Sequence, residues 1–309
     1  NISTGEIENV NTGNSGIQEN YVQCIEADIN GNIWVGNLGT TFCGGLSSFK
    51  GNDWTYYDPP QNYKDYNSIT ADNNGDVWVS TNSSGLFHKS SSGWEVFNKD
   101  NSPLPTNSIG KVQIENNGTV WVIVQERLYK QGCLAKFDGS SWELIDTSNS
   151  EIPSNMVYSI DIDTLGNIWI GTNEGLALFN GSNWIVYNTE NSGIPSNIIT
   201  SVTCDAVNNI WVGTYNSGMT YFSGNSWTVY NDTNSILPNN KIKSLEIDNN
   251  NAVWIINDLN YNQAGRIISF DGTKWTQYET NTSPMPNNFP VSLALDKDSS
   301  VWLGTNNGF

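Results

Sequence analysis

The stretch Gly166-Asn167-Ile168-Trp169-Ile170-Gly171-Thr172-Asn173-Glu174-Gly175-Leu176 decides the fold. A Gly-Asn turn opens it, a run of branched and aromatic residues follows, and an Asn-Glu-Gly turn closes it, which is how a short buried strand between tight turns reads. The pattern recurs through the chain. Its tryptophan is repeated at Trp34, Trp78, Trp121, Trp169, Trp211, Trp254 and Trp302, at separations of 44, 43, 48, 42, 43 and 48 residues. Seven units of 40-odd residues therefore organise the sequence.

The other six tryptophans, Trp54, Trp94, Trp142, Trp184, Trp227 and Trp275, occupy a second fixed slot. Five of them precede a proline by 11 residues, as Trp184 precedes Pro195. All 13 tryptophans are thus accounted for as scaffold. Within the fourth unit, Met156–Asp163, Asn167–Gly171, Leu176–Phe179 and Trp184–Tyr187 read as four short strands joined by turns rich in Asn and Gly. Four short strands per unit at this period predict propeller blades, and no helical periodicity of useful length competes.

The expectation is an all-β, seven-bladed β-propeller over residues 1–309, four antiparallel strands per blade, with the first strand of each blade lining a central channel. The blades fall at about 21–57, 66–97, 108–146, 156–187, 198–230, 241–278 and 290–309 plus 5–10. Ring closure is read from the N-terminus, where Asn11-Thr12-Gly13-Asn14-Ser15-Gly16-Ile17 parallels Asn188-Thr189-Glu190-Asn191-Ser192-Gly193-Ile194. That register places Ile7 in the seventh slot of the second tryptophan series, so the N-terminal segment is expected to supply the outer strand of the last blade. The disc then reads as one complete domain.

Composition narrows the partners. With 13 Lys+Arg against 31 Asp+Glu the net charge is −18 and the pI about 4.1, the reverse of the basic footprint that nucleic acid or an anionic membrane surface requires. Aromatics at 12% with only 14% charged residues argue for a packed core and against a disordered acidic tail. No apolar run approaches the roughly 20 residues that span a bilayer. The four cysteines, Cys24, Cys43, Cys133 and Cys204, show no metal-type spacing and read as buried or half-buried thiols. About one residue in seven is Asn, which with the acidic balance suits a soluble extracytoplasmic protein.

Gly166–Leu176, Phe-Asn-Gly-Ser-Asn-Trp at Phe179–Trp184 and Ile-Pro-Ser-Asn at Ile194–Asn197 together resemble the regulator-propeller repeat of Bacteroidetes hybrid two-component sensors. The resemblance extends over all seven units. It implies an extracytoplasmic location, periplasmic, cell-surface or secreted, because such propellers sit outside the cytoplasm, usually two in tandem. A small β-sandwich, a membrane helix and a kinase follow them in the sensors, and the sequence carries none of these. The same repeats also occur in secreted and surface proteins of that phylum.

Departures from the repeat are where a specific site is grafted. Trp-to-Gly spacing from the second strand to the third is 6 or 7 residues in four units but 11 in three: Trp34 to Gly45, Trp121 to Gly132 and Trp254 to Gly265. The enlarged loops of units one, three and six carry Leu38, Thr41 and Phe42; Gln125, Glu126, Arg127, Tyr129 and Lys130; and Asp258, Asn260, Tyr261 and Gln263. Phe42, Arg127, Tyr129, Asn260 and Tyr261 are the expected ligand-binding residues, as aromatic platforms flanked by amides and an Arg suit a sugar chain. The plainer alternative is that the loops shield the rim.

Catalytic options are thin. His88 is the only histidine and falls in the third strand of unit two, away from the loops, so it reads as structural. The streptogramin-lyase propellers share a similar strand but call for more histidines on the binding face. No catalytic residue and no metal ligand is expected. The turns Asp28–Asn32 and Asp72–Asp76 space oxygens as Ca²⁺ likes them, but lack a bidentate Glu, leaving no cofactor expected and a weak structural Ca²⁺ as the alternative. The sequence therefore points to a non-enzymatic extracytoplasmic recognition module whose partner is an oligosaccharide or a protein. An assembly subunit of a larger envelope complex is the second reading, and a lyase or hydrolase the third.

Overall fold

The computed structural model describes residues 10–38, 45–60, 65–125, 132–257, 266–278 and 290–309. Every regular element in them is a strand. Six four-stranded antiparallel sheets follow one another, each in simple up-and-down order. Their inner strands are Val22–Ala27, Tyr66–Ala71, Ile109–Ile114, Val157–Ile162, Ile199–Cys204 and Ile242–Ile247. Pro290–Leu295 lies between the last of these and the first, so seven inner strands surround an axial channel.

The seventh unit corrects the expectation of seven four-stranded blades. Among the described residues it is a sheet of two strands, Pro290–Leu295 and Val301–Thr305, and no N-terminal strand joins it. Ile7 and the rest of residues 1–9 lie outside the described residues, and residues 10–20 form turns. At the other end Thr305 closes a turn onto Gly308 and Phe309 is reached without a third strand. Phe309 exchanges two backbone hydrogen bonds with Val10 instead. Packing shows the consequence: Trp302 is half-buried, while the six equivalent tryptophans are all buried. A cavity of about 700 Å³ opens beside it, between Trp302, Phe49, Trp54 and Lys297.

The repeat motif is explained residue by residue. Second strands such as Ile168–Thr172 are buried along their whole length, because Ile168 and Ile170 face the unit before and Trp169 the unit after. Each tryptophan points forward. Trp169 packs among Ile194, Ile199, Val202, Ile210 and Val212 of the fifth unit, and Trp211 among Leu237, Ile242, Leu245, Val253 and Ile255 of the sixth. The glycine two residues on is required by close approach: a Cβ at Gly171 would stand 2.8 Å from Ile199 Cγ2, and one at Gly213 2.5 Å from Ile242 Cγ2.

The asparagines are structural as well. After the outer strands of the second to fifth sheets the connection is pinned by amides, as where Asn188 N donates to Asn191 Oδ1, Thr189 N to Asn197 Oδ1, and Asn191 Nδ2 to Val186 O. Asn231, Asn234 and Asn240 repeat this set, and Asn11, Asn14 and Asn20 reproduce its first two bonds. Such side chains supply the partners that backbone groups in an irregular connection would otherwise lack.

Candidate functional site

All five expected binding residues, Phe42, Arg127, Tyr129, Asn260 and Tyr261, lie outside the described residues, as does Cys43. The stems of their loops are described. Where the loop is short, a threonine locks it: the hydroxyls of Thr81, Thr172, Thr214 and Thr305 donate to the carbonyls of Gly85, Gly175, Gly218 and Gly308 at 2.7 to 2.9 Å. The three units with enlarged loops carry Asn37, Val124 and Asn257 at that slot. Asn37 Nδ2 donates to Glu19 O at 2.7 Å and Asn257 Nδ2 to Lys241 O at 2.9 Å, toward the inner strand and away from the loop. Loop length and the loss of the threonine lock therefore go together.

At the same end of the strands, an arc of side chains crosses the fourth to sixth units. Met156 and Tyr158, 53% and 42% exposed, flank the start of the fourth inner strand. Tyr215, 49% exposed, follows the second strand of the fifth, held where its N donates to Ile198 O at 3.1 Å. Lys241 Nζ sits 5.2 Å from the centre of the Tyr215 ring, a cation–π contact between units five and six. Gln125 and Arg266, the stems of the third and sixth enlarged loops, bound this arc in chain order. Sequence reasoning missed it; the signal was there, since Tyr158 and Tyr215 stand where other units carry Gln23, Asn67 and Thr200, or Asn82 and Asn173.

Below the arc the axial channel holds a cavity of about 430 Å³. One level of its wall is a ring of small hydroxyls, Ser68, Ser159, Ser201, Ser244 and Ser292, completed by Cys24 and Lys111. These hydroxyls also join the units: Ser159 Oγ accepts from Val202 N at 2.9 Å and Ser201 Oγ from Leu245 N at 3.0 Å. One turn of the pleat deeper come Glu26, Gln113, Asp161 and Glu246. Asp161 accepts from Gln113 Nε2 at 3.3 Å and from Cys204 N at 2.8 Å.

Glu26, Lys111, Asp161 and Glu246 are half-buried among the inner strands, and their titration responds. Burial pushes the Glu26 carboxyl up to about 8, with the charge of Glu246 adding to it, and pushes Glu246 up to about 7. Burial likewise raises Asp161. Burial opposes the Lys111 ammonium, but Glu246, Asp161 and Glu26 outweigh it and hold the lysine charged. The Cys204 thiol is driven up by burial and by Asp161, so it is an inert thiol rather than a nucleophile.

The remaining chemistry-bearing residues are scaffold. His88 lies flat on Trp78, with centroids 4.1 Å apart and planes 13° off parallel, and its Nε2 is 3.3 Å from Asp76 Oδ2. It stands in the third strand of the second sheet, outside the channel wall. In the Asp28 turn, Oδ1 accepts from Asn32 N at 2.8 Å and Oδ2 from Asn32 Nδ2 and Trp34 Nε1 at 2.6 and 3.0 Å. Those oxygens are engaged by N–H donors. Among the described residues no group of three or more His, Cys, Asp or Glu is placed to hold a metal ion.

The family model described as two component regulator propeller matches residues 16–39, 151–174, 193–216 and 284–307, which contain the inner and second strands of the first, fourth, fifth and seventh units. These four stretches match the regulator propeller repeat. No curated protein sequence matches the chain. Among solved structures, this chain is similar to the extracellular domain of a protein described as a hybrid two-component system of B. thetaiotaomicron, at 20% identity and a TM-score of 0.73 over 94% of the chain. The chain spans 39% of that domain's length. It is also similar to virginiamycin B lyase of Staphylococcus aureus, at 13% identity and a TM-score of 0.74 over 98% of this chain and 97% of that one. PorZ, a surface component of the type-IX secretion system of Porphyromonas gingivalis, matches at 17% identity and a TM-score of 0.69, over 95% of this chain and 46% of that one. At such identities the likeness is one of fold.

Proposed function

We propose that this chain is a non-enzymatic, extracytoplasmic recognition module that takes an oligosaccharide on the face where the channel opens. The observation that carries this reading is the arc of Met156, Tyr158, Tyr215 and Lys241, exposed aromatic and polarisable surface over a polar channel mouth. Tyrosine rings stack on sugar faces while Gln125, Thr200 and Lys243 offer hydrogen bonds at the mouth. The extracellular sensor domain among the similar structures supports the location. A hydrolytic or eliminating reaction finds little support, since His88 is stacked on Trp78 rather than presented to the channel.

A thermal-melt screen against plant, algal and host oligosaccharides tests the reading. A ligand at about 100 times its Kd adds roughly 2.7 kcal/mol, a shift of several degrees for a domain of this size. No shift with any glycan class overturns it. A second reading, docking in an envelope assembly, has its own observation: Leu165 and Val207 are 75% and 68% exposed on adjacent turns of the opposite face, which Thr164 and Asn208 tie together. Co-purification of a stoichiometric partner that Leu165→Ser/Val207→Ser releases would favour it.

A further inference from the structure

The axial channel carries charges that nothing in the recognition reading uses. Glu26, Lys111, Asp161 and Glu246 come from four different units, the first, third, fourth and sixth; Glu26, Lys111 and Glu246 line one cavity, and the charge of Asp161 acts on Lys111 and Glu246. Among the described residues none of the three carboxylates forms an ion pair with Lys111 within 4.0 Å, so their attraction acts across the cavity rather than through a contact. These four are three acids to one base; the cavity's other lysine, Lys243, lies nearer the mouth and donates its Nζ to Pro290 O at 3.3 Å. Other inner strands bring no compensating charge to this level: Thr70, Gln113, Thr203 and Ala294 hold the equivalent slots, and Cys204 stays a neutral thiol.

The placement of the two glutamates matters most. Glu246 and Glu26 stand on the strands either side of Pro290–Leu295, with only the small Ala294 between them at their level. That strand belongs to the two-stranded sheet, whose Trp302 is the least covered of the series. Repulsion between these carboxylates therefore bears on the joint with the least packing to resist it.

We propose that these four side chains form a proton-controlled clasp across the axis, tight while the glutamates are protonated and loosened as they ionise. Neutral carboxyls sit at a half-buried channel wall at modest cost, whereas two carboxylates charged on the same wall, with no ion-pair partner within 4.0 Å, repel each other. The sign follows from linkage. The folded ring keeps Glu246 protonated to about 7 and Glu26 to about 8, while in the unfolded chain both revert to the ordinary value of 4.5. Folding takes up protons in that window, so stability falls as pH rises from about 5 to about 8. Lys111 works in the opposite sense at all these pH values, remaining charged and restraining the loss.

The experiment is a series of melting temperatures between pH 5 and pH 9 on the whole chain. All variants carry His88→Gln, which removes the one histidine from the comparison. The parent is expected to lose several degrees between pH 5 and pH 8.5. Glu26→Gln/Glu246→Gln, which mimics the protonated pair in shape, is expected to be nearly flat and to melt above the parent at pH 8.5. Lys111→Met is expected to steepen the loss. A double variant with the parent's slope, or a parent with none, overturns the proposal. Should the double variant not fold, carbon-13 titration of the glutamate carboxyls in the parent decides: midpoints near 7 and 8 support the clasp, and midpoints near 4.5 overturn it.

Discussion

Trp254 donates its indole N–H to Asp248 Oδ2 at 3.0 Å, six residues back across the turn that joins the first two strands of its unit. The same bond links Trp34 to Asp28, Trp169 to Asp163 and Trp302 to Asp296, and Trp121 reaches Glu115 at 2.6 Å. Both residues of the Trp254 pair are buried. The acid thus serves twice, as the anchor of the turn and as the acceptor for the one polar atom of the largest side chain in the core. Asp248→Ala is expected to cost about 2 kcal/mol, because it strands a buried donor and releases the turn. Trp254→Phe keeps the turn and drops the N–H, and should cost less. Urea unfolding of the two variants measures both.

Packing between units makes a second expectation. Gly171→Ala adds a methyl 2.8 Å from Ile199 Cγ2 and 3.1 Å from Ile199 O, so the fourth and fifth units must separate. A loss of about 1–3 kcal/mol is expected in denaturant unfolding. Gly181→Ala is the control: its Cβ meets nothing, and only the left-handed backbone, φ 88°, opposes it, at about 1 kcal/mol.

Ligand affinity should separate from stability on the arc. Tyr158→Ala and Tyr215→Ala remove exposed rings, so each is expected to lower oligosaccharide affinity about tenfold in calorimetric titration while leaving unfolding within about 0.5 kcal/mol of the parent. Lys241→Ala should weaken binding less, as it acts on the ring of Tyr215.

The sole histidine should prove a packing residue. His88→Phe preserves the stack on Trp78 and is expected to hold stability within about 1 kcal/mol, whereas His88→Ala loses the stack and about 1 kcal/mol or more. Any ligand binding should be unchanged in both, as a titration on the folded variants would show.

Much of this fold is legible in the sequence because tryptophan spacing and strand alternation report burial directly. Trp169 and Ile170 declare a strand closed in on both faces, and Gly171 declares a neighbour too near for a side chain. What is not legible is how the last unit ends. Asn11–Ile17 does repeat Asn188–Ile194, down to Asn11 N bonding Asn14 Oδ1, yet a repeated turn does not reveal whether strands of the last unit flank it. The Asp28 turn is ambiguous in sequence for a related reason: oxygen spacing looks alike for a cation and for N–H donors, and the indole six residues on supplies one such donor. Glu26, Lys111, Asp161 and Glu246 are far apart in sequence and meet only because the ring brings every inner strand to one axis.

The forward lean of each tryptophan has a consequence for how the molecule comes apart. Trp78 belongs to one sheet by its hydrogen bonds and to the next by its contacts, and so does every counterpart around the ring. The smallest piece that can open is therefore a seam between sheets and not a sheet. Amide hydrogens would exchange in blocks that straddle sequence repeats, each block reaching from one second strand to the inner strand that follows it.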